Sequence, residues 1–150
     1  MSLRNKTLKS GISLQQIGSK QKKMNDIHLS RKEIATRFLK LAASGKVQEA
    51  YDKYVDPEFY HHNPWFRGDR ESLRKGMEDS AGQFPGKIFE VVRALEDGDL
   101  VAVHGRVRLK PDMPEIALMH ILRFRGDMII EEWEVSQEVP EGGKNQNGVF

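Results

Sequence analysis

The 150-residue chain contains no cysteine. Disulfides, thiol nucleophiles and thiolate metal sites are therefore excluded, and a cysteine-free chain suits the reducing cytoplasm. No apolar run approaches the roughly 20 residues of a membrane-spanning helix, and the first thirty residues lack the apolar stretch of a signal peptide. We therefore expect a soluble, cytoplasmic protein that has no membrane as a partner.

Several nucleotide and hydrolase motifs are also missing. The sequence has no glycine-rich phosphate loop, no nucleophile elbow and no dinucleotide fingerprint. Arg125-Gly126-Asp127 is a hairpin turn and does not indicate cell adhesion. These absences exclude enzymes that depend on a phosphate-binding loop, a nucleophile elbow or a dinucleotide-binding fold.

Charge is unevenly distributed along the chain. The formal net charge is +2, yet residues 1–30 carry six basic side chains against Asp26 alone. The composition of residues 1–29 predicts a basic, poorly ordered leader, and residues 30–150 are predicted to form one domain. Because the leader lacks interleaved aromatic residues, we expect no nucleic-acid partner, although an adaptor role of the leader remains a weaker alternative.

Residues 30–150 show helical patterns first and strand patterns afterwards. Ser30 and Glu33 have the spacing of a capping box, and Asp69 is a good cap for a third helix after a second one over 47–55. From Lys87 onward apolar residues alternate with a period of two, in two hairpins with turns at Asp97-Gly98 and Gly126-Asp127. A further short strand is predicted near 59–63. Helices gathered before antiparallel strands predict an α+β fold.

The second hairpin, residues 116–137, concentrates the ionisable groups that a buried site needs. If the strands pair regularly from the Gly126-Asp127 turn, His120 faces Trp133 and Leu122 faces Glu131. One mostly apolar side then contains Leu118, His120, Leu122, Phe124, Ile129, Glu131, Trp133, Val135 and Gln137. We interpret this side as the wall of a pocket, and the other side, with Glu132 and Glu134, as a surface for a second sheet, a partner or water.

A pairing of Arg108 with Ile116 would also place His104 opposite His120 on the pocket side. Imidazoles titrate near pH 6.5, so this pair beside Glu131 could move a proton at neutral pH. The alternative is that each is a hydrogen-bonded core histidine. Glu131 could equally be half of an ion pair with Arg93 or Arg106.

Three segments of the sequence carry a family resemblance. They are His62-Asn63-Pro64 followed by Gly68, the stretch from Leu95 to His104, and the stretch from Arg123 to Gln137 with the tail Asn147-Gly148-Val149-Phe150. Over roughly residues 30–150 the chain resembles the SnoaL-like polyketide cyclase family of the nuclear transport factor two-like superfamily. The resemblance implies a cone-shaped α+β barrel, also called cystatin-like, in which a curved, mostly antiparallel sheet wraps around the N-terminal helices. It also implies an apolar pocket and commonly a homodimer.

Cyclases of this family close a ring by aldol condensation without a metal. They use an acid/base aspartate on the strand before the last hairpin turn and a supporting histidine on the preceding strand. The histidine corresponds to His104 and the aspartate position to His120. We therefore predict catalytic roles for His120, His104 and Glu131, with neither a cofactor nor a metal, since the histidine spacing follows no compact ligand motif.

Further residues are candidates for substrate binding. The segment His62-Asn63-Pro64-Trp65-Phe66 could supply a polar group and an aromatic lid, or could be a rigid turn that covers the end of the barrel. Trp133 suits the wall of a pocket for a planar ligand. The predicted binding residues are His62, Asn63, Trp65, Trp133 and Arg106.

Two functions remain open at this point. One is a cofactor-independent acid/base enzyme, of aldol cyclase, isomerase or hydratase type, acting on a small hydrophobic carbonyl or polyketide-like compound. The other is a non-catalytic ligand-binding or dimerisation module, because one fold serves many functions.

Overall fold

The computed structural model describes residues 28–150, so residues 1–27 of the predicted leader lie outside the described part. Within residues 28–150, helices precede most strands, as the sequence predicts. None of these helices is long and apolar enough to cross a membrane. The elements are α1 (Arg31–Ala43), α2 (Val47–Tyr54), β1 (Val55–His61), α3 (Arg70–Gln83), β2 (Ile88–Asp97), β3 (Leu100–Arg108), β4 (Ile116–Arg125) and β5 (Met128–Glu138).

The helix starts follow from local capping chemistry. The Ser30 side chain accepts a hydrogen bond from the Glu33 amide, and the Glu33 carboxylate accepts one from the Ser30 amide at 2.8 Å. The Asp69 carboxylate accepts a hydrogen bond from the Ser72 amide at 2.8 Å, which caps α3. These bonds satisfy amides that have no partner inside the helix.

A five-stranded sheet packs against the helices. Its strand order is β1-β5-β4-β3-β2, with β1 parallel to β5 and the other neighbours antiparallel. The predicted α+β class and mostly antiparallel sheet are confirmed, and no pairing of β1 with β2 closes the sheet within residues 28–150. The inner face of the sheet and the helices share one core, which includes Phe38, Tyr51, Val103, Leu122 and Ile129.

The β4–β5 hairpin contains a bulge that the sequence did not reveal. Arg125 pairs with Met128 and Phe124 with Ile129, as predicted, but Arg123 then pairs with Glu131 and leaves Ile130 as an extra residue. A bulge shifts all later pairs by one position. His120 therefore pairs with Glu134, so the predicted pairing with Trp133 is wrong.

The other two antiparallel registers also differ from the predictions, by one residue between β3 and β4 and by two residues next to the turn between β2 and β3. Val107, and not Arg108, pairs with Ile116, so His104 faces Met119 and His120 faces Val103. Adjacent positions along a strand point to opposite faces, so the predicted opposition of His104 and His120 is wrong. The first hairpin turns at Gly98-Asp99, where Gly98 has a φ of 60°, instead of at Asp97-Gly98.

Candidate active site

A cavity of about 330 Å³ lies between the helices and one half of the inner face of the sheet. Most of its lining is apolar, and His120, Glu134 and Lys87 are its titratable groups. An apolar cavity with a few converging polar groups is the usual form of a small-molecule site. The lining includes Asn63, Phe66, Gly76, Met77, Ser80, Lys87, Phe89, Leu109, His120 and Glu134.

His120 and Glu134 form the polar contact of the cavity wall. They are directly paired across β4 and β5, and the Nε2 atom of His120 lies 3.3 Å from Oε2 of Glu134. His120 is only 4% exposed, and its Nδ1 atom has no hydrogen-bond partner within residues 28–150. The shifted register thus gives His120 a directly paired carboxylate, Glu134, in place of the predicted neighbour Glu131.

Glu132 lies behind this pair, next to the cavity and outside its lining. Its Oε1 atom is 3.8 Å from Nε2 of His120, and the residue is 2% exposed. Neither carboxylate oxygen has a hydrogen-bond partner among the described residues. Burial therefore raises the pKa of Glu132 to about 7, although the positive charge of His120 works in the opposite direction.

The three groups shift one another's proton affinities. Burial lowers the pKa of His120, but the hydrogen bond to Glu134 and the charges of Glu132 and Glu134 outweigh it, so that the pKa is raised above its usual 6.5. The hydrogen bond from His120 lowers the pKa of Glu134 despite burial. The raised pKa of His120 and the lowered pKa of Glu134 favour an imidazolium beside an ionised carboxylate, and the pKa of Glu132 lies near 7, an arrangement suited to moving protons.

Two further buried groups near this cluster, His61 and Tyr51, were not among the predicted site residues. His61 pairs with Glu132 across β1 and β5, and its Nδ1 atom accepts a hydrogen bond from the Asn63 amide at 3.1 Å. Burial lowers the pKa of His61, so the ring is neutral at pH 7. Burial and the charge of Glu132 raise the pKa of Tyr51, which keeps its hydroxyl group protonated. The alternation along the predicted short strand near 59–63 was the available signal for His61. The helical spacing of Val47, Ala50 and Tyr51 indicated that Tyr51 is buried, but nothing local placed it beside Glu132.

Glu131, Trp133 and His62 lie on the outer face of the sheet. The Nε2 atom of His62 is 2.8 Å from Oε1 of Glu131, and the Nε atom of Arg123 donates to Oε2 at 2.9 Å. The His62 ring stacks on Trp133 with centroids 4.9 Å apart. The predicted inner position of Glu131 and Trp133 is therefore wrong because of the bulge. Glu131 is ion-paired, as the structural alternative expected, but with Arg123 instead of Arg93 or Arg106.

The remaining candidates divide between the cavity and the exterior. His104 stacks on Phe150 with centroids 5.8 Å apart, and the Arg106 guanidinium lies 4.1 Å from the same ring centroid, so both contact the C-terminus and not the cavity. Trp65 is 86% exposed and does not line the cavity. Asn63 does line it, and its Oδ1 atom accepts a hydrogen bond from the Trp65 amide at 3.0 Å.

The central cluster also has the composition of a cation site. One ligand atom each of His120, Glu132 and Glu134 lies within 4.8 Å of the others. A nitrogen with two carboxylate oxygens suits a divalent transition metal. The sequence predicts no metal, and that expectation stays a prediction.

Phe66 covers part of the cavity by packing on a glycine of α3. A Cβ atom at Gly76 would lie 2.3 Å from Cε1 of Phe66, whereas a Cβ atom at Gly82 of the same helix would meet nothing within 4 Å. Both Gly→Ala changes gain helix propensity, up to about 1 kcal/mol. We expect Gly82→Ala to raise the thermal unfolding midpoint and Gly76→Ala to lower it, since displacing a packed ring costs about 1–3 kcal/mol. Equal stabilisation by both substitutions, measured by calorimetry, would show that Phe66 is not held against α3.

The fold and the cavity place this chain among the small α+β proteins with an apolar interior site. A model of the SnoaL-like domain matches residues 35–132. The chain therefore belongs to the SnoaL-like domain family, which confirms the predicted resemblance. Among the curated protein sequences compared, none matches this chain.

Solved structures share the fold at low sequence identity. A loop truncation variant of IdmH is 20% identical, covers 72% of this chain and 93% of its own, and has a TM-score of 0.63. Wild-type IdmH from Streptomyces antibioticus, a candidate polyketide cyclase, is 18% identical over 73% of this chain and 93% of its own, with a TM-score of 0.62. An NTF2-like protein of unknown function from Cytophaga hutchinsonii is 14% identical over 75% and 94%, with a TM-score of 0.61. These likenesses establish the fold, and the homodimer stays a prediction.

Proposed function

We propose that this protein is a cofactor-independent enzyme that enolises a small, apolar carbonyl compound by general acid/base catalysis. The contact between His120 and Glu134 in the wall of an apolar cavity is the observation that carries the proposal. Enolisation is the common first step of aldol cyclisation and of many isomerisations. IdmH, described as a candidate polyketide cyclase, provides a parallel on the same fold.

The proton movements follow from the charges of the pair. Ionised Glu134 accepts the proton from the carbon next to the carbonyl group, and the His120 imidazolium donates its proton to the carbonyl oxygen. The product is a neutral enol, with Glu134 protonated and His120 neutral. Glu132 does not line the cavity, so it acts on this step only through His120, as a positioning residue.

Deuterium exchange into β-tetralone tests the proposal with a small bicyclic ketone. In deuterated buffer we expect the protein to speed loss of the proton signals next to the carbonyl at least about 100-fold over buffer alone, the lower range for a positioned acid/base group. Proton nuclear magnetic resonance measures the rate. The rate should survive dialysis against EDTA, because no step uses a metal.

The rival function, a ligand-binding module, gives a different result in the same experiment. Such a protein would bind β-tetralone in calorimetry but leave its exchange at the buffer rate. Binding without exchange, repeated with an apolar β-diketone, would overturn the enzymatic proposal. Exchange that disappears after EDTA treatment and returns with added zinc or manganese would instead place a metal at His120, Glu132 and Glu134.

A further inference from the structure

Lys87 places a positive charge in the wall of the cavity. In the sequence it lies far from His120 and Glu134. It directly precedes β2 and lines the same cavity as His120 and Glu134. Its side chain is partly buried, and its ammonium group donates a hydrogen bond to Oγ of Ser80 at 3.2 Å. Of the described residues that line the cavity, Lys87 is the only lysine or arginine.

The charge of Lys87 has no counterion in the described part of the chain. The ion pairs of residues 28–150 do not include Lys87, and the cavity lining also contains the apolar side chains of Met77, Phe89 and Leu109. Burial alone lowers the pKa of Lys87, with no acidic group acting against it. By contrast, His120 is matched by Glu134 in the same wall. A cation that is partly withdrawn from water without a partner costs free energy, which a bound anion would restore.

We propose that Lys87 and Ser80 form an anion subsite, so that the natural ligand of the cavity is an apolar molecule with a carboxylate group. The two donor groups lie 3.2 Å apart, a separation that lets the two oxygens of one carboxylate accept a hydrogen bond from each. One ammonium and one hydroxyl group match a single negative charge. A phosphate group carries three acceptor oxygens and close to two negative charges, more than one ammonium and one hydroxyl group match.

This subsite adds a substrate class to the proposed function. It rests on that proposal for the premise that a substrate binds in the cavity. An apolar acid held by its carboxylate at Lys87 would present its remaining carbon skeleton to the other lining residues. His120 and Glu134 line the same cavity. We therefore expect apolar keto acids to be better substrates than neutral ketones of the same shape.

Paired probes of equal shape test the charge requirement directly. We expect the protein to bind β-naphthoate at least about tenfold more tightly than the uncharged β-naphthamide in calorimetry, the usual scale of one charge-assisted hydrogen bond. Lys87→Met should remove this preference while binding of β-naphthamide persists. Lys87→Arg should keep it, since the positive charge remains.

Three results would overturn the subsite. The first is that the unmodified protein binds the acid and the amide with equal affinity, and the second is that it binds neither probe. The third is that Lys87→Met, with its fold confirmed by circular dichroism, still prefers the carboxylate. The experiment involves no turnover, so it is separate from the exchange assay. Binding of the two probes requires no proton transfer, so a failure of the enolisation proposal would leave a positive result here unchanged.

Discussion

Replacing His120 by glutamine is expected to reduce the exchange of β-tetralone to near the rate in buffer, a loss of about 10²- to 10⁴-fold. The glutamine amide can still donate a hydrogen bond to Glu134, but it cannot donate a proton to the carbonyl oxygen. The residue is buried beside two carboxylates, so the isosteric amide limits the structural damage. Proton nuclear magnetic resonance at several pH values measures the effect.

His104→Gln is the matched control for this variant. His104 lies on the neighbouring strand but points to the opposite face of the sheet, where it stacks on Phe150. Its substitution should leave the exchange rate within about twofold, as a change outside the site does. Equal losses in the two variants, or full activity of His120→Gln, would contradict the assignment of His120 as the proton donor.

The pH profile of the unmodified protein provides a second check on the same pair. The proposed active form requires an ionised Glu134, whose pKa is lowered, and a protonated His120, whose pKa is raised above 6.5. The rate should therefore fall on the acid side as Glu134 takes up a proton and on the alkaline side as His120 loses one. A rate that rises continuously through pH 9 would identify neutral His120 as the base instead.

Local chemistry made part of the fold predictable. The capping box of Ser30 and Glu33 depends on residues three apart, and the Gly126-Asp127 turn depends on two adjacent ones. Both were predicted correctly because their hydrogen bonds are formed within one segment. The helix-then-strand order then sufficed for the α+β class. His120 was also placed in the cavity wall, since the turn and the alternation of β4 fix its side.

The bulge at Ile130 could not be predicted in the same way. The stretch from Met128 to Glu134 allows two phases of alternation, and a pattern based on burial favours the one with Trp133 inside. The protein adopts the other phase along most of β5, so that Glu132 is buried and Trp133 stacks on His62. Burying the Glu132 carboxylate costs free energy, so an assignment based on stability alone favours the phase with Trp133 inside. Functional sites commonly contain buried charged groups that are unfavourable for stability. The identity of the acid/base partners depended on this single inserted residue.

Glu132→Gln is expected to stabilise the protein progressively as the pH rises from about 4.5 to 7. Burial raises the folded pKa of Glu132 to about 7 from 4.5, so between these values the unfolded chain has lost a proton that the folded chain still holds. The free energy of unfolding therefore falls with increasing pH over this window and is constant above it. The full difference corresponds to about 3 kcal/mol. Glutamine has no charge to bury, so the free energy of unfolding of the variant does not fall over this pH window. Denaturant unfolding of both proteins at a series of pH values measures the difference.

Glu131→Gln should show the opposite sign one residue away. Burial raises the pKa of Glu131, but the hydrogen bonds from His62, Arg123 and Tyr60 outweigh it and hold the pKa below 4.5. The charged form therefore stabilises the fold above the unfolded pKa, and this contribution is lost as the pH falls through the folded value. Glu131→Gln should destabilise the protein at pH 7 and approach the unmodified protein in acid. If the pH dependences of the two variants were exchanged, Glu131 and not Glu132 would face the interior, as in a regular register, and the bulge at Ile130 would be refuted.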